Sequence, residues 1–284
     1  SFNYRDNTYT ITLKSGKSGT QTKIVSVVPA VPGVKLRNEV MASAKHGNDA
    51  WIYGGPEAAT LLIQGTIPAN RSSFAVKGAM HHPDACFRAE LEKRLKGKGI
   101  VLDKQKIKEG EHHALLTMVS PFLKDIVYYT NKNSVNLFAE ALGKLISPTD
   151  YAKTVKAELS DMGIDSCGIT LKDASGLSPA NAVPAEVFTD VLIWARRYLS
   201  DAFVLSLPRG NVDWSLRIYS DHPVLRGNVV AKTGSMSGVR ALAGYLKMRQ
   251  GETLAFTILV NNYVGDPVKV QECMRDLLKE VADK

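Results

Sequence analysis

The chain has 284 residues, 44% of them hydrophobic and 23% charged, with 22 Gly and 12 Pro. That is enough for about two domains of roughly 150 residues, and the balance excludes collagen, low-complexity disorder and a disulfide-dense miniprotein. The longest apolar stretch, 253–260, falls well short of the ~18 residues that cross a bilayer as a helix, so no transmembrane segment is expected.

The net charge of +8 is unevenly placed. Residues 1–112 hold 17 Lys and Arg against 10 Asp and Glu, a balance of +7, whereas 113–284 are almost neutral. A basic front half reads either as a solvated face or as a surface for a polyanion such as an acidic wall polymer, an anionic lipid surface or nucleic acid. Nucleic acid is disfavoured: the Lys93 to Lys98 cluster has no interleaved aromatics, and no DNA- or RNA-binding motif occurs. Cys86, Cys167 and Cys273 lie far apart without metal-ligand or redox spacing. His81-His82 and His112-His113 are adjacent pairs rather than the i, i+4 pairs of a helical metal site, so no metal is expected.

In chain order, Tyr9, Ile11 and Leu13, then Ile24, Val25, Val27 and Val28, alternate as short antiparallel strands around a Ser15-Gly16-Lys17-Ser18-Gly19 turn. Further strands are expected at 51–53, 61–65 and 73–77, with turns at Gly54-Gly55-Pro56 and Pro68-Ala69-Asn70. From Pro83 the apolar set Phe87, Leu91 and Leu95 predicts a helix stopped by Gly97 and Gly99, and 103–110 is linker-like. Helices then dominate to about 205. Pro121 suits a first turn, Ser134 precedes an apolar helix face, 150–162 stops at Gly163, and Pro184 opens a helix to about Leu199. Strands follow at 228–233, 239–248 and 253–261, with a terminal helix over 267–281. An antiparallel sheet with helices packed on it is an α+β layer architecture.

Two stretches carry chemistry. Lys232-Thr233-Gly234-Ser235 ends a strand with a cation, a hydroxyl and a residue without Cβ, so a substrate backbone could lie along the strand edge while its carboxylate is held. By itself such a string also reads as a glycine-containing strand end. Ser134-Val135-Asn136 puts a hydroxyl and an amide at a helix start, and by itself equally reads as a helix cap. Asp173 and Ser175 sit in a glycine-bearing loop where Asp is a common turn former. Asp213 and His222 could suggest a Ser-His-Asp triad, but no nucleophile elbow accompanies them.

Taken together, Ser134-Val135-Asn136-Leu137-Phe138-Ala139-Glu140, Asp173-Ala174-Ser175-Gly176-Leu177-Ser178 and Ala231-Lys232-Thr233-Gly234-Ser235-Met236, followed by Leu242-Ala243-Gly244-Tyr245, resemble the D-alanyl-D-alanine carboxypeptidases/endopeptidases of the penicillin-binding protein 4 type. The resemblance implies a penicillin-recognising, β-lactamase/transpeptidase-like antiparallel sheet with flanking helices over 113–284. Residues 1–112 would belong to a β-rich accessory module inserted in the catalytic domain. It further implies a serine-type peptidase outside the cytoplasm, acting on peptidoglycan stem peptides through an acyl-enzyme, inhibited by β-lactams and needing no metal or organic cofactor. Ser134 would relay a proton beside Lys232, Asn136 would bind the substrate amide, and Thr233 with Lys232 would hold the terminal carboxylate. Gly234 would leave room for the substrate, and the Ser235 N–H would form half of the oxyanion hole.

Two departures accompany the resemblance. The family's Ser-x-x-Lys nucleophile is missing: no Ser in the chain has a Lys three places on. The chain also opens on Ser1-Phe2-Asn3 with neither Met nor a targeting segment. Both suit a C-terminal portion, inactive alone, whose nucleophile lies upstream. The second departure is Gly210-Asn211-Val212-Asp213-Trp214-Ser215-Leu216-Arg217, where the family often has Gly-Thr-Leu before the Arg. The rival readings are a related β-lactamase or esterase and a non-catalytic wall-binding protein.

Overall fold

The computed structural model describes residues 2–101, 114 and 116–284. The linker-like run at 103–110 and the pair His112-His113 lie outside the described residues. The chain divides into two compact units, Ser1–His113 and Ala114–Lys284.

In the first unit, strand β1 (Thr8–Lys14) buries Tyr9, Ile11 and Leu13 and exposes or half-exposes the residues between, the period-two pattern of a one-faced strand. It lies between β2 (Lys23–Val28) and a late strand, β6 (Phe74–Ala79), antiparallel to both. A second sheet holds β3 (Lys35–Ser43), β5 (Thr60–Pro68) and the short β4 (Trp51–Tyr53), in the order β3-β5-β4. In this sheet β3 runs parallel to β5, from Lys35 opposite Thr60 to Ser43 opposite Pro68. Strand direction depends on the crossover between the strands, which alternation cannot encode. Ile11, Leu13, Val40, Leu61, Ile63 and Ile67 form one core cluster.

Helix α1 (Pro83–Gly97) has Pro at its start and Gly99 in the left-handed region after its end. Its expected apolar stripe is not a buried face: Phe87 and Leu91 remain 39% and 41% exposed, and only Cys86 is buried. Phe87 packs instead against the rings of Phe2 and Tyr4, while Glu90 accepts from Tyr4, Arg5 and Arg94.

The second unit contains α2 (Leu123–Asn133), α3 (Asn136–Ile146), α4 (Tyr151–Asp161), α5 (Ala185–Tyr198), α6 (Asp201–Ser206) and the single turn α7 (Arg217–Ser220). Strands β7 (Val229–Met236), β8 (Val239–Lys247) and β9 (Thr253–Asn261) follow as an antiparallel meander, then α8 (Pro267–Ala282). Local chemistry sets the helix ends. Asp150 accepts from the Lys153 N–H, Asp266 accepts from the Val268 N–H, and Gly163 stops α4 with φ +76°.

The sheet is covered on both faces. Met274, Leu278 and Ala282 of α8 pack with Val229, Ala231, Leu242 and Leu246, and each of the buried Val, Leu and Met side chains contributes about 1.5–3 kcal/mol of transfer free energy. On the opposite face Leu192, Leu207 and Tyr245 pack with Phe203, Val230 and Ala243. The Tyr245 hydroxyl, buried there, donates to the Leu192 carbonyl at 2.7 Å. Because side chains alternate along β7, Lys232 shares the face of Val230, the face that α5 and α6 cover.

Candidate active site

Ser134 stands at a corner between two helices. Its N–H closes α2 on the Thr130 carbonyl with φ 53° and ψ 51°, and α3 starts two residues later behind an extended Val135. Ser134 is therefore the left-handed C-cap of α2, and its side chain caps neither helix. A non-glycine residue in that conformation costs about 1–2 kcal/mol, so surrounding contacts must hold it.

Those contacts come from the last turn of α2. Asn131 donates to the Ser206 hydroxyl at 2.8 Å, and Ser206 is itself buried and donates to Phe203 O at 2.6 Å. Lys132 donates to Leu207 O at 2.7 Å and to Asp213 Oδ2 at 2.9 Å, with its ammonium over the Tyr128 ring. Asp213 also accepts from the Arg209 N–H at 2.7 Å. Asp213 thus serves Lys132 and Arg209, while His222 accepts from the Val224 N–H two residues away, so no triad forms.

On β7, Lys232 points its ammonium at the corner and donates to Ser134 Oγ at 2.9 Å and to Thr233 O at 3.0 Å. Ser134 and Lys232 are 98 residues apart in sequence. Lys232 is half-buried, and among the described residues no carboxylate pairs with it. Burial therefore holds its ammonium below the ordinary lysine range. A desolvated amine sharing a hydrogen bond with a hydroxyl can pass a proton in either direction at small cost.

The outer edge of β7 is covered only in its first half. Gly210 N–H donates to Val229 O, Arg209 bridges Val230, and Ala231 N–H donates to Pro208 O. From Lys232 to Met236 that edge meets no main-chain partner among the described residues, which leaves room for an extended peptide to add as a strand. Thr233 and Gly234 lie on this open stretch, with Ser235 exposed beside them. Asn136, exposed at the first position of α3, makes no side-chain hydrogen bond with a described residue.

Close packing fixes β7 against β8. A Cβ on Gly244 would lie 2.2 Å from Val230 O and 2.5 Å from Ala231 Cα, so only glycine permits this approach one residue from Lys232. The Asp173 loop packs on α3. Asp173 accepts from Gly176 N–H, Ser178 N–H and Asn181 Nδ2, while Ala174 N–H donates to Glu140 and the Ala174 methyl sits against Gly143. Burial acts to raise the Asp173 carboxyl, and donation from Asn181, Gly176 and Ser178 outweighs it, leaving the group below the usual range.

The structure thus brings Ser134 and Lys232 into direct contact and places Thr233, Gly234 and Ser235 on the adjoining open edge. Sequence reasoning missed Asn131 and Lys132 and weighed Asp213 only for a triad, whereas these three groups pin the corner. The available cue was a polar pair two and three residues before Ser134, in register with an acid in the divergent 210–217 segment. Among the described residues no cluster of three or more His, Cys, Asp or Glu could hold a metal ion, and no helix is long and apolar enough to cross a membrane.

Comparison with known proteins bears on the family and the fold. Residues 2–282 match the D-Ala-D-Ala carboxypeptidase 3 (S13) family. The D-alanyl-D-alanine carboxypeptidase of Actinomadura sp. (strain R39) is 26% identical over 91% of this chain and 54% of its own length. The D-alanyl-D-alanine carboxypeptidase DacB of Haemophilus influenzae is 29% identical over 72% of this chain and 46% of its own. The chain therefore spans about half the length of the curated relatives it matches. Penicillin binding protein 4 (dacB) from Haemophilus influenzae, solved with a β-lactam, superposes with a TM-score of 0.81 at 26% identity, covering 99% of this chain and 70% of that one. The α+β architecture is of the penicillin-recognising class.

Proposed function

The chain belongs to the D-Ala-D-Ala carboxypeptidase 3 (S13) family, and from that membership we propose that it forms one wall of a serine-type D-Ala-D-Ala carboxypeptidase or endopeptidase acting on peptidoglycan stem peptides. The observation that carries the reading is the 2.9 Å contact of Lys232 Nζ with Ser134 Oγ beside an open strand edge.

In acyl transfer a nucleophilic hydroxyl attacks the D-Ala carbonyl, an oxyanion forms, and the leaving amine must take a proton. Ser134 is placed to deliver that proton through its hydroxyl, drawing on Lys232, whose lowered proton affinity suits the exchange. Lys232 and the Thr233 hydroxyl hold the terminal carboxylate. Asn136 binds the amide preceding the scissile bond, and Gly234 keeps the edge clear for the substrate backbone. The Ser235 N–H supplies one oxyanion donor. The attacking serine and its lysine come from polypeptide outside these 284 residues, with residues 1–112 belonging to an accessory module inserted in the catalytic domain. The site of action is the periplasm or another extracytoplasmic compartment where peptidoglycan is found.

The test is intact-mass spectrometry of the full-length gene product after incubation with a penicillin. A stable adduct on a serine three places before a lysine, formed at least 10²-fold more slowly in the Ser134→Ala variant, is the expected result. A short-lived adduct points to a β-lactamase or esterase. The absence of Ser-x-x-Lys from the chain favours one second reading, a wall-binding protein without catalysis. Muropeptide binding with no adduct would establish it.

A further inference from the structure

The Ser15-Gly16-Lys17-Ser18-Gly19 turn and the Pro68-Ala69-Asn70 turn, which the proposed peptidase chemistry does not use, meet at one place in the first unit. With the end of β3 they enclose an open cavity of about 290 Å³, whose lining includes Lys17, Ser18, Ser43, His46, Asn70 and Arg71. Every ionisable group in that lining is basic, and no carboxylate lines it. Among the described residues neither Lys17 nor Arg71 pairs with a carboxylate. We infer that this cavity is a binding site for a phosphoryl group, taken either as a small phosphate or as one link of a phosphodiester polymer.

The cavity is rigidly framed. The Ser15 hydroxyl, buried, donates to Pro68 O at 2.7 Å and accepts from Arg71 N–H at 2.9 Å, and Ser15 N–H donates to Arg71 O at 2.9 Å. Asn70 N–H donates to Gly16 O, Ala69 N–H to Ser43 O, and Gly19 N–H to Ala42 O. Three segments separated in sequence are thereby laced together through their backbones, while the side chains of Lys17, Ser18, His46, Asn70 and Arg71 stay exposed at the mouth. Asn70 holds φ 58° there, a left-handed turn conformation that Asn tolerates.

The chemistry of the lining selects the ligand. Lys17 brings a mobile point charge and Arg71 a planar fork that donates two parallel hydrogen bonds. Ser18, Ser43 and Asn70 add neutral donors. A phosphoryl group presents its free oxygens to that set in a tetrahedral spread, two on a phosphodiester link and more on a free phosphate, whereas a carboxylate offers two in one plane. The +7 balance of residues 1–112 adds long-range attraction for a polymer of such groups. Because the mouth is open, a chain can enter and leave.

The test is a titration of the 284-residue chain, followed by amide NMR shifts, with inorganic phosphate, with a glycerol-phosphate oligomer and with acetate. Saturable shifts confined to 15–19, 43–46 and 68–71 are expected with phosphate, at millimolar affinity, weakening with added salt. Lys17→Ala/Arg71→Ala should weaken binding at least tenfold. Lys93→Ala/Lys96→Ala, which removes the same charge from exposed positions of α1, should leave it within twofold. Tighter binding of the oligomer than of phosphate identifies the polymer as the source; equal binding per phosphoryl group identifies the free ion. Equal loss in both double variants, or acetate binding as well as phosphate, would overturn the inference. The site involves none of the residues assigned to acyl transfer, so penicillin acylation of the full-length product should be the same in the Lys17→Ala/Arg71→Ala variant.

Discussion

Replacing Asp213 by alanine removes the anion that neutralises Lys132 at the base of the Ser134 corner. The pair is largely buried, with side-chain exposures of 14% for Lys132 and 18% for Asp213. Breaking a buried pair by deleting one partner costs about 3–5 kcal/mol because a desolvated charge is left behind. Here Lys132 keeps Leu207 O and the Tyr128 face, and the Arg209 N–H is exposed enough to take water, so about 2–3 kcal/mol is the working figure. Asp213→Asn keeps an oxygen for both donors and loses only the charge, for about 1–2 kcal/mol. Lys132→Met leaves Asp213 with the Arg209 N–H and a nearby solvent path, again about 1–2 kcal/mol. If the two side chains act on each other, Lys132→Met/Asp213→Asn costs less than the sum, with a coupling of about 1–2 kcal/mol. Urea unfolding of the four proteins measures the cycle. Additive losses, with a coupling below about 0.5 kcal/mol, would refute the reasoning and make the contact an ordinary surface pair.

Four further outcomes follow from the same structure. Gly244→Ala should cost about 1–3 kcal/mol in a denaturant melt and slow penicillin acylation of the full-length product 10–100-fold, since its methyl would push β7 away from β8 beside Lys232. Gly234→Ala meets only the Ala241 methyl at 3.1 Å, and should disturb stability far less. For Lys232, burial lowers the folded value below 10.5, so between the two values the unfolded chain binds more protons. The contribution of Lys232 should therefore rise with pH across that window, while the buried tyrosines, raised by burial, contribute the opposite slope above pH 10; the test is that the unfolding free energy of the unchanged chain relative to Lys232→Met rises with pH up to about 10.5. Asp173 behaves oppositely. Its lowered folded value gives stability that is present above pH 3.8 and lost as pH falls through the folded value, a loss that Asp173→Asn should remove from an acid titration.

The second unit was the more legible half. Its strands and terminal helix fall within three residues of the expected bounds, because Gly163, Pro184 and Pro267 mark helix ends and the hydrophobic period changes before β7 and after β9. In the first unit β3 escaped detection because Arg37, Asn38 and Glu39 interrupt the alternation; Asn38 is there to bind Thr22 O with its side-chain amide rather than to fill a face. The Phe87, Leu91 and Leu95 spacing marks the helix Pro83–Gly97 correctly, but spacing shows which residues share a helix face, not whether anything covers it. The Ser134 motif was legible as chemistry and illegible as geometry. A Ser before an apolar helix suggests an N-cap, but here the chain turns left-handed and hands the cap position to Val135.

That reversal explains why the site depends on a segment that carries none of the expected catalytic residues. Residues 206–213 hold α2 on one side, through the Ser206 hydroxyl, the Leu207 carbonyl and the Asp213 carboxylate. They hold β7 on the other, through the Pro208 carbonyl, the Arg209 bridge to Val230 and the Gly210 N–H. One short stretch, with Pro208 fully buried at its centre, therefore spaces Ser134 from Lys232. The 2.9 Å hydrogen bond between Lys232 and Ser134 joins two elements remote in sequence, and this stretch is bonded to both. The divergence of 210–217 from the family pattern falls on this spacer. Its acid, Asp213, pairs with Lys132 rather than with Ser134 or Lys232, so a departure in this segment leaves the Ser134–Lys232 contact in place.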